Sequence, residues 1–195
     1  MDCMNKPLRP SASDGEDYFR LFGLPRSYAI DRASLDSAYE ELSLSCHPDF
    51  FAAAPAPELA AARAKSTLVN EAYRVLSSDS LRAEYLLGLL AAGRSLDTRA
   101  LPEGFLMEML ELQEELDELF PPESPPATDG PQAGQAQRMR GLVKERLESL
   151  LEERRKLFAG AGESPDEQIL RGLQTNLNCE KYLNRLLERL EIIEQ

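Results

Sequence analysis

Three consecutive residues, His47-Pro48-Asp49, interrupt what is otherwise a pair of helical stripes. Before them Leu35, Tyr39, Leu42 and Cys46 recur every three or four residues, and after them Ala62, Ser66, Val69, Tyr73 and Leu76 do the same. That is the spacing of one face of an α-helix. Proline lacks the backbone donor a helix needs and disfavours helical geometry in the residue before it, so the first helix must end near Cys46 or His47. A helical hairpin follows, with the tripeptide at its loop tip. The chain's one histidine and a carboxylate then share an exposed turn, a place suited to recognition more than to core packing. On a purely structural reading, His47 would close the helix end and Asp49 would cap the next segment.

The rest of the chain extends the helical pattern. Tyr18 to Leu24 makes a short helix ended by Gly23 and Pro25, and Asp31 can cap the helix that carries Leu35 to Cys46. Glu58 to Leu76 is the partner helix, and Leu81 to Leu90 another, stopped by Gly93. A second helical region follows the connector through Pro102: Glu103 to Leu119, Gln135 to Phe158, and Pro165 to Glu194. Met139, Val143, Leu147, Leu150, Leu157 and Phe158 mark one inner face there, and Leu173, Leu177, Leu183, Leu186, Leu190 and Ile193 another. The run Glu152-Glu153-Arg154-Arg155-Lys156 suits a solvated face. No alternation of strand period stands out, so the expected fold is all-α: a helical hairpin domain followed by a three-helix bundle. Residues 1–16 form a flexible leader, 17–95 the first domain and 96–195 the second, with a proline-rich loop near 121–134.

Composition narrows the partners. The chain carries 34 acidic and 22 basic residues, a net charge of -12, which repels nucleic acid and anionic membrane surfaces overall. Partners should be proteins. No apolar run approaches the roughly 20 residues that span a bilayer, and no signal-peptide pattern opens the chain. Cys3, Cys46 and Cys179 form no disulfide framework, which suits a reducing compartment. Three scattered thiols and one histidine do not make a zinc or cluster site, so no metal or cofactor is expected. Cys46, on the apolar stripe, belongs to the core. An acid–base enzyme built on His47 and Asp49 is disfavoured by the proline between them and by the lack of a nearby nucleophile.

The helix from Glu103 to Leu119 carries seven carboxylates and no Lys or Arg. Phe105, Met109, Leu112, Leu116 and Leu119 fall within one narrow stripe at about 100° per residue and form the core seam. Leu106, Met107 and Leu110 fall elsewhere, interleaved with Glu111, Glu114 and Glu118. Two readings stay open for them. They could meet a second buried layer, or they could form a docking surface with an apolar centre and an acidic rim.

Helix, His-Pro-Asp loop and second helix together resemble the J-domain, by which co-chaperones stimulate ATP hydrolysis in seventy-kilodalton (DnaK-type) heat-shock chaperones. Asp17-Tyr18-Phe19-Arg20-Leu21-Phe22-Gly23-Leu24 resembles its first helix, and Val69-Asn70-Glu71-Ala72-Tyr73-Arg74-Val75-Leu76 its third. Arg82-Ala83-Glu84-Tyr85-Leu86-Leu87 and the acidic helix from Phe105 to Glu118 are similar to the HscB/Jac branch, whose members serve iron–sulfur cluster assembly. The resemblance runs from about Asp17 to the last helix. It implies a co-chaperone without catalytic chemistry of its own, in a bacterial cytoplasm. His47, Pro48 and Asp49 would act on an HscA/DnaK-type chaperone. Leu106, Met107, Leu110, Glu111, Glu114 and Glu118 would bind an IscU-type scaffold protein, with Tyr182 completing the site where the family usually has phenylalanine. The alternative is a general J-protein with a different client.

One departure from the family pattern concerns charge. J-domains generally present a basic face on the helix before the tripeptide, yet here no Lys or Arg lies between Ala33 and Cys46, while Asp36, Glu40 and Glu41 are acidic. Phe50 stands where lysine is common. Steering toward an acidic chaperone surface should be weak or reversed. Either the chaperone has co-adapted, or contact relies on the loop and on Arg20, Arg63, Lys65 and Arg74.

Overall fold

The computed structural model describes residues 17–121, 131–162 and 164–193. These form seven α-helices and one 3-10 turn, without strands, and the chain divides into two compact units at 93/94. The expected leader over 1–16 lies outside the described residues, as does most of the expected proline-rich loop.

The first unit holds α1 (Tyr18–Leu21), α2 (Arg32–Ser45), a 3-10 turn (Pro48–Phe51), α3 (Ala56–Ser77) and α4 (Asp79–Ala91). Three helix starts are set by short polar side chains: Asp17 accepts from the Phe19 N–H, Asp31 from Ser34 and Ser78 from Leu81. Each cap satisfies a donor that has no partner within the helix, worth about 1 kcal/mol. α2 ends at Ser45 and Pro48 opens the 3-10 turn, as the proline requires. α3 begins two residues before the expected Glu58, since Pro57 fits the first turn of a helix. α4 stops where Ala92 and Gly93 are both left-handed, at φ 47° and 82°.

Polar pairs fix how α2 and α3 lie together. Arg32 donates to the Ser77 carbonyl at 3.0 Å, Asp36 accepts from the Tyr73 hydroxyl at 2.9 Å, and Tyr39 donates to Asn70 at 2.9 Å. Partners descend α3 as they ascend α2, so the pair is antiparallel and the tripeptide lies at its closed end. Phe19, Leu35, Cys46, Val69, Val75 and Leu76 are buried between the helices, each large one contributing roughly 1.5–3 kcal/mol. Arg82 is buried too. It donates to the Tyr28 carbonyl at 2.8 Å and the Leu76 carbonyl at 2.5 Å and pairs with Asp79, tying the α1–α2 connection to the α3–α4 junction. Tyr85 accepts the Tyr18 N–H at 3.0 Å and stacks on the Tyr18 ring, fastening α1 to α4.

The second unit is a three-helix bundle of α5 (Phe105–Leu119), α6 (Pro131–Ala161) and α7 (Glu167–Ile193). Residues 131–134, expected in the loop, are helical: α6 opens on Pro131, a position where a missing donor costs nothing. Contacts set an up-down-up arrangement. Phe105 meets Tyr182 and Asp117 meets Arg189, so α5 and α7 run parallel, whereas Arg140 pairs with Glu191 and Arg154 with Glu180, so α6 runs against α7. Phe105, Met109 and Leu116 are buried with Met139, Val143, Leu183, Leu186 and Leu190, and Leu112, Leu119, Leu147 and Leu150 pack against them half-buried.

The charged run at 152–156 is not wholly solvated. Arg154 is fully buried: Nε donates to Asn176 Oδ1 at 2.9 Å and Nη2 reaches Glu180 at 2.7 Å. The Asn176 amide in turn donates to the Leu150 carbonyl at 2.9 Å and to Glu153 at 3.2 Å. Arg154 lies four residues after Leu150 and three before Leu157, on the apolar stripe itself, so the helical period carries it inward.

Candidate partner-binding surfaces

The His-Pro-Asp turn is organised by its own backbone. The His47 N–H donates to the Leu44 carbonyl at 3.4 Å, and the Phe50 N–H to the His47 carbonyl at 3.1 Å. His47 is the cap of the 3-10 turn, its Nδ1 accepting the Asp49 N–H at 3.3 Å. Accepting at Nδ1 leaves the proton of the neutral ring on Nε2. Asp49 Oδ2 lies 3.7 Å from Nδ1, and the Asp49 side chain is 88% exposed. The turn thus offers a partner an imidazole donor and a solvated carboxylate held two residues apart, both on a surface with little role in the core. The purely structural expectation makes Asp49 the cap of the next segment; His47 fills that role instead through Nδ1, because Asp49 already lies inside the turn, and Nε2 stays available.

The α2 flank is acidic and more structured than its charges suggest. Asp36 accepts from Arg32 Nε at 2.8 Å and from Tyr73, so it clips α2 to α3, while Glu40 and Glu41 are exposed. On α3, Arg74 forks onto Glu71 at 2.8 and 2.7 Å, which holds the Glu71 carboxyl below its ordinary pKa. Arg20, Arg63 and Lys65 are exposed. Leu44 and Phe50 are exposed as well, at 65% and 72%, and the Phe50 ring stands edge-on to His47 with centroids 5.9 Å apart.

On α5 the helical period separates the two apolar sets as expected. The seam residues face the bundle, whereas Leu106, Met107 and Leu110 are 50%, 64% and 47% exposed. Glu111, Glu114 and Glu118 are exposed around them. Tyr182 is half-buried against Phe105, its ring edge-on with centroids 6.1 Å apart, which puts an aromatic beside the first turn of α5. The Arg185 guanidinium lies over the same ring, 5.9 Å from its centroid. The second-layer reading has no support within the bundle, where these three side chains contribute little to the core.

A groove of about 500 Å³ separates α5 from α6, an opening that helical periodicity does not report. Met109 and Leu112 wall one side and Leu142 and Val143 the other, over Leu183, with Glu108, Glu111, Glu115 and Glu145 at its rim. Exposed Leu142, one position off the α6 stripe, was the available signal. Among the described residues, no group of three or more His, Cys, Asp or Glu could hold a metal ion, and no helix is long and apolar enough to cross a membrane. Cys46 and Cys179 are free thiols, both buried; Cys3 lies outside the described residues.

Residues 17–85 match the family model for the DnaJ domain. Over its length the chain is similar to chaperone HscB from Vibrio cholerae, with a TM-score of 0.73 and 26% identity over 91% of this chain and 97% of that one. It is similar also to human co-chaperone protein HscB, with a TM-score of 0.73 and 25% identity over 94% of this chain and 83% of that one.

Proposed function

We propose that this chain, a J-domain co-chaperone of the HscB type, binds an IscU-type iron–sulfur scaffold protein and delivers it to an HscA/DnaK-type chaperone. The first unit acts through His47, Pro48 and Asp49, which stimulate ATP hydrolysis in the chaperone. The second acts through Leu106, Met107 and Leu110, ringed by Glu111, Glu114 and Glu118 and flanked by Tyr182. Chemistry stays with the partner's nucleotide. This chain supplies position: it holds the client and the hydrolysis trigger in one polypeptide, so that binding of one raises the effective concentration of the other.

The observation that carries this reading is the exposed apolar face of α5. Three large apolar side chains outside the bundle core, bordered by carboxylates, have the anatomy of an interface: an apolar centre that excludes water and a polar rim that orients the partner. The free thiols of Cys46 and Cys179 suit a reducing compartment, the bacterial cytoplasm in this reading. Calorimetric titration of the chain with the scaffold protein of the same organism tests the assignment. A saturable isotherm that vanishes in the Leu106→Ala, Met107→Ala, Leu110→Ala variant is expected. Equal heats from both proteins would place the scaffold elsewhere, or nowhere, on this chain.

A further inference from the structure

We infer that the chaperone-facing surface of the first unit is an apolar seat with an acidic edge, Leu44 and Phe50 on either side of His47 with Glu40 and Glu41 beyond, and that it fits a DnaK-type chaperone presenting an apolar pocket with basic groups beside it. The inference rests on the proposed role of the His-Pro-Asp turn and names the chemistry of its partner.

Successive backbone bonds, Leu44 carbonyl to His47 N–H and His47 carbonyl to Phe50 N–H, space the three residues by one tight turn each. His47 itself is extended, at φ -64° and ψ 125°, so the chain passes there from α2 into the 3-10 turn, with Leu44 three residues before the imidazole and Phe50 three after it. Among the described residues of this unit, Leu44 and Phe50 are the large apolar side chains left most open to water, and the Phe50 ring stands edge-on to the imidazole. Glu40 and Glu41 precede Leu44 by four and three residues, and so continue the strip along α2 on its own face. Arg32, the one cation on α2, is committed to Asp36, Tyr73 and the Ser77 carbonyl at the other end of the helix. The ionised groups on the strip are therefore carboxylates: Glu40, Glu41 and Asp49. An acidic partner surface would be repelled, and a fully polar one would leave Leu44 and Phe50 without a place to bury. An apolar pocket edged by Lys or Arg satisfies both, and it is continuous with the imidazole donor and carboxylate of the turn itself.

The test uses the intact chain and the DnaK-type chaperone of the same organism, reading the concentration that gives half-maximal ATPase stimulation. Leu44→Ala and Phe50→Ala should each raise it by about tenfold, as for truncation of an interface anchor, with the maximal rate retained at saturation. Glu40→Lys with Glu41→Lys should raise it as well, and the difference from the parent should shrink at high salt. Circular dichroism melts should match the parent, since all four side chains are exposed; Phe50→Ala, in the 3-10 turn, keeps the test open should Leu44→Ala disturb α2. Unchanged stimulation by both alanine variants would overturn the apolar seat. Tighter coupling from the lysine variant would overturn the basic pocket edge. A parent chain that stimulates nothing would remove the proposed function and this inference together, whereas loss of stimulation in His47→Gln with normal alanine variants would remove the inference alone.

Discussion

His47 and Asp49 do little for the packing of the hairpin, because both side chains are exposed and the hydrogen bond they make is local to their own turn. His47→Gln and Asp49→Asn should therefore leave helicity and melting within about 0.5 kcal/mol of the parent while abolishing ATPase stimulation; circular dichroism beside a steady-state ATPase assay checks both. Arg154 is the opposite case. Arg154→Met removes the buried guanidinium that Glu180 pairs with, at a cost of about 3–5 kcal/mol, whereas Arg154→Met with Glu180→Leu should recover most of that loss, and urea melts of the single and double variants measure the difference. Burial pushes the Cys179 thiol up to about 11, so it stays neutral in the fold and inert to alkylation at pH 8 until urea unfolds the chain; peptide mapping after iodoacetamide reads this. The sign follows for stability. The unfolded thiol ionises near about 8.5, so the contribution of Cys179 is complete below that pH and is lost as pH rises toward the folded value.

Among the elements, α5 carries an exposed apolar set and a buried one on a single helix. Alanine at Leu106, Met107 and Leu110 should abolish scaffold binding with little loss of stability, whereas alanine at Met109, Leu112 and Leu116 should unfold the bundle, since buried truncations cost about 2–5 kcal/mol each. Urea melts of the two triple variants, beside a scaffold titration of the first, distinguish them. This division was legible in the sequence because a helix converts spacing into direction, and the seam and the flank differ in spacing. The hairpin was legible for the same reason, with Pro48 marking its break. Spacing alone left other features hidden. Arg154 shares the stripe of Leu150 and Leu157, yet its burial depends on Asn176 and Glu180, brought opposite by a helix more than twenty residues later. The groove between α5 and α6 depends on how far the helices stand apart, which no residue pattern states. Asp36 counts in the sequence only as one of the acidic residues of α2; its role as a clip is hidden there because its partner Tyr73 becomes a neighbour only when α3 folds back.

At the scale of the whole molecule, the proposed function asks one chain to hold two partners with chemically different surfaces, a small polar turn with an apolar border on one unit and a broad apolar face with a carboxylate rim on the other. The net charge of -12 sets a common condition on both, favouring partners that meet it with basic groups. In the proposed function the turn drives the chaperone while the bundle carries its client. Steady-state ATP hydrolysis by the DnaK-type chaperone of the same organism, with this chain and the scaffold protein added separately and together, tests it most directly. The chain alone should accelerate hydrolysis, chain and scaffold together should exceed the sum of their separate effects, and His47→Gln should remove the acceleration in both cases. A rate unchanged by the chain, or an acceleration that survives His47→Gln intact, would contradict it.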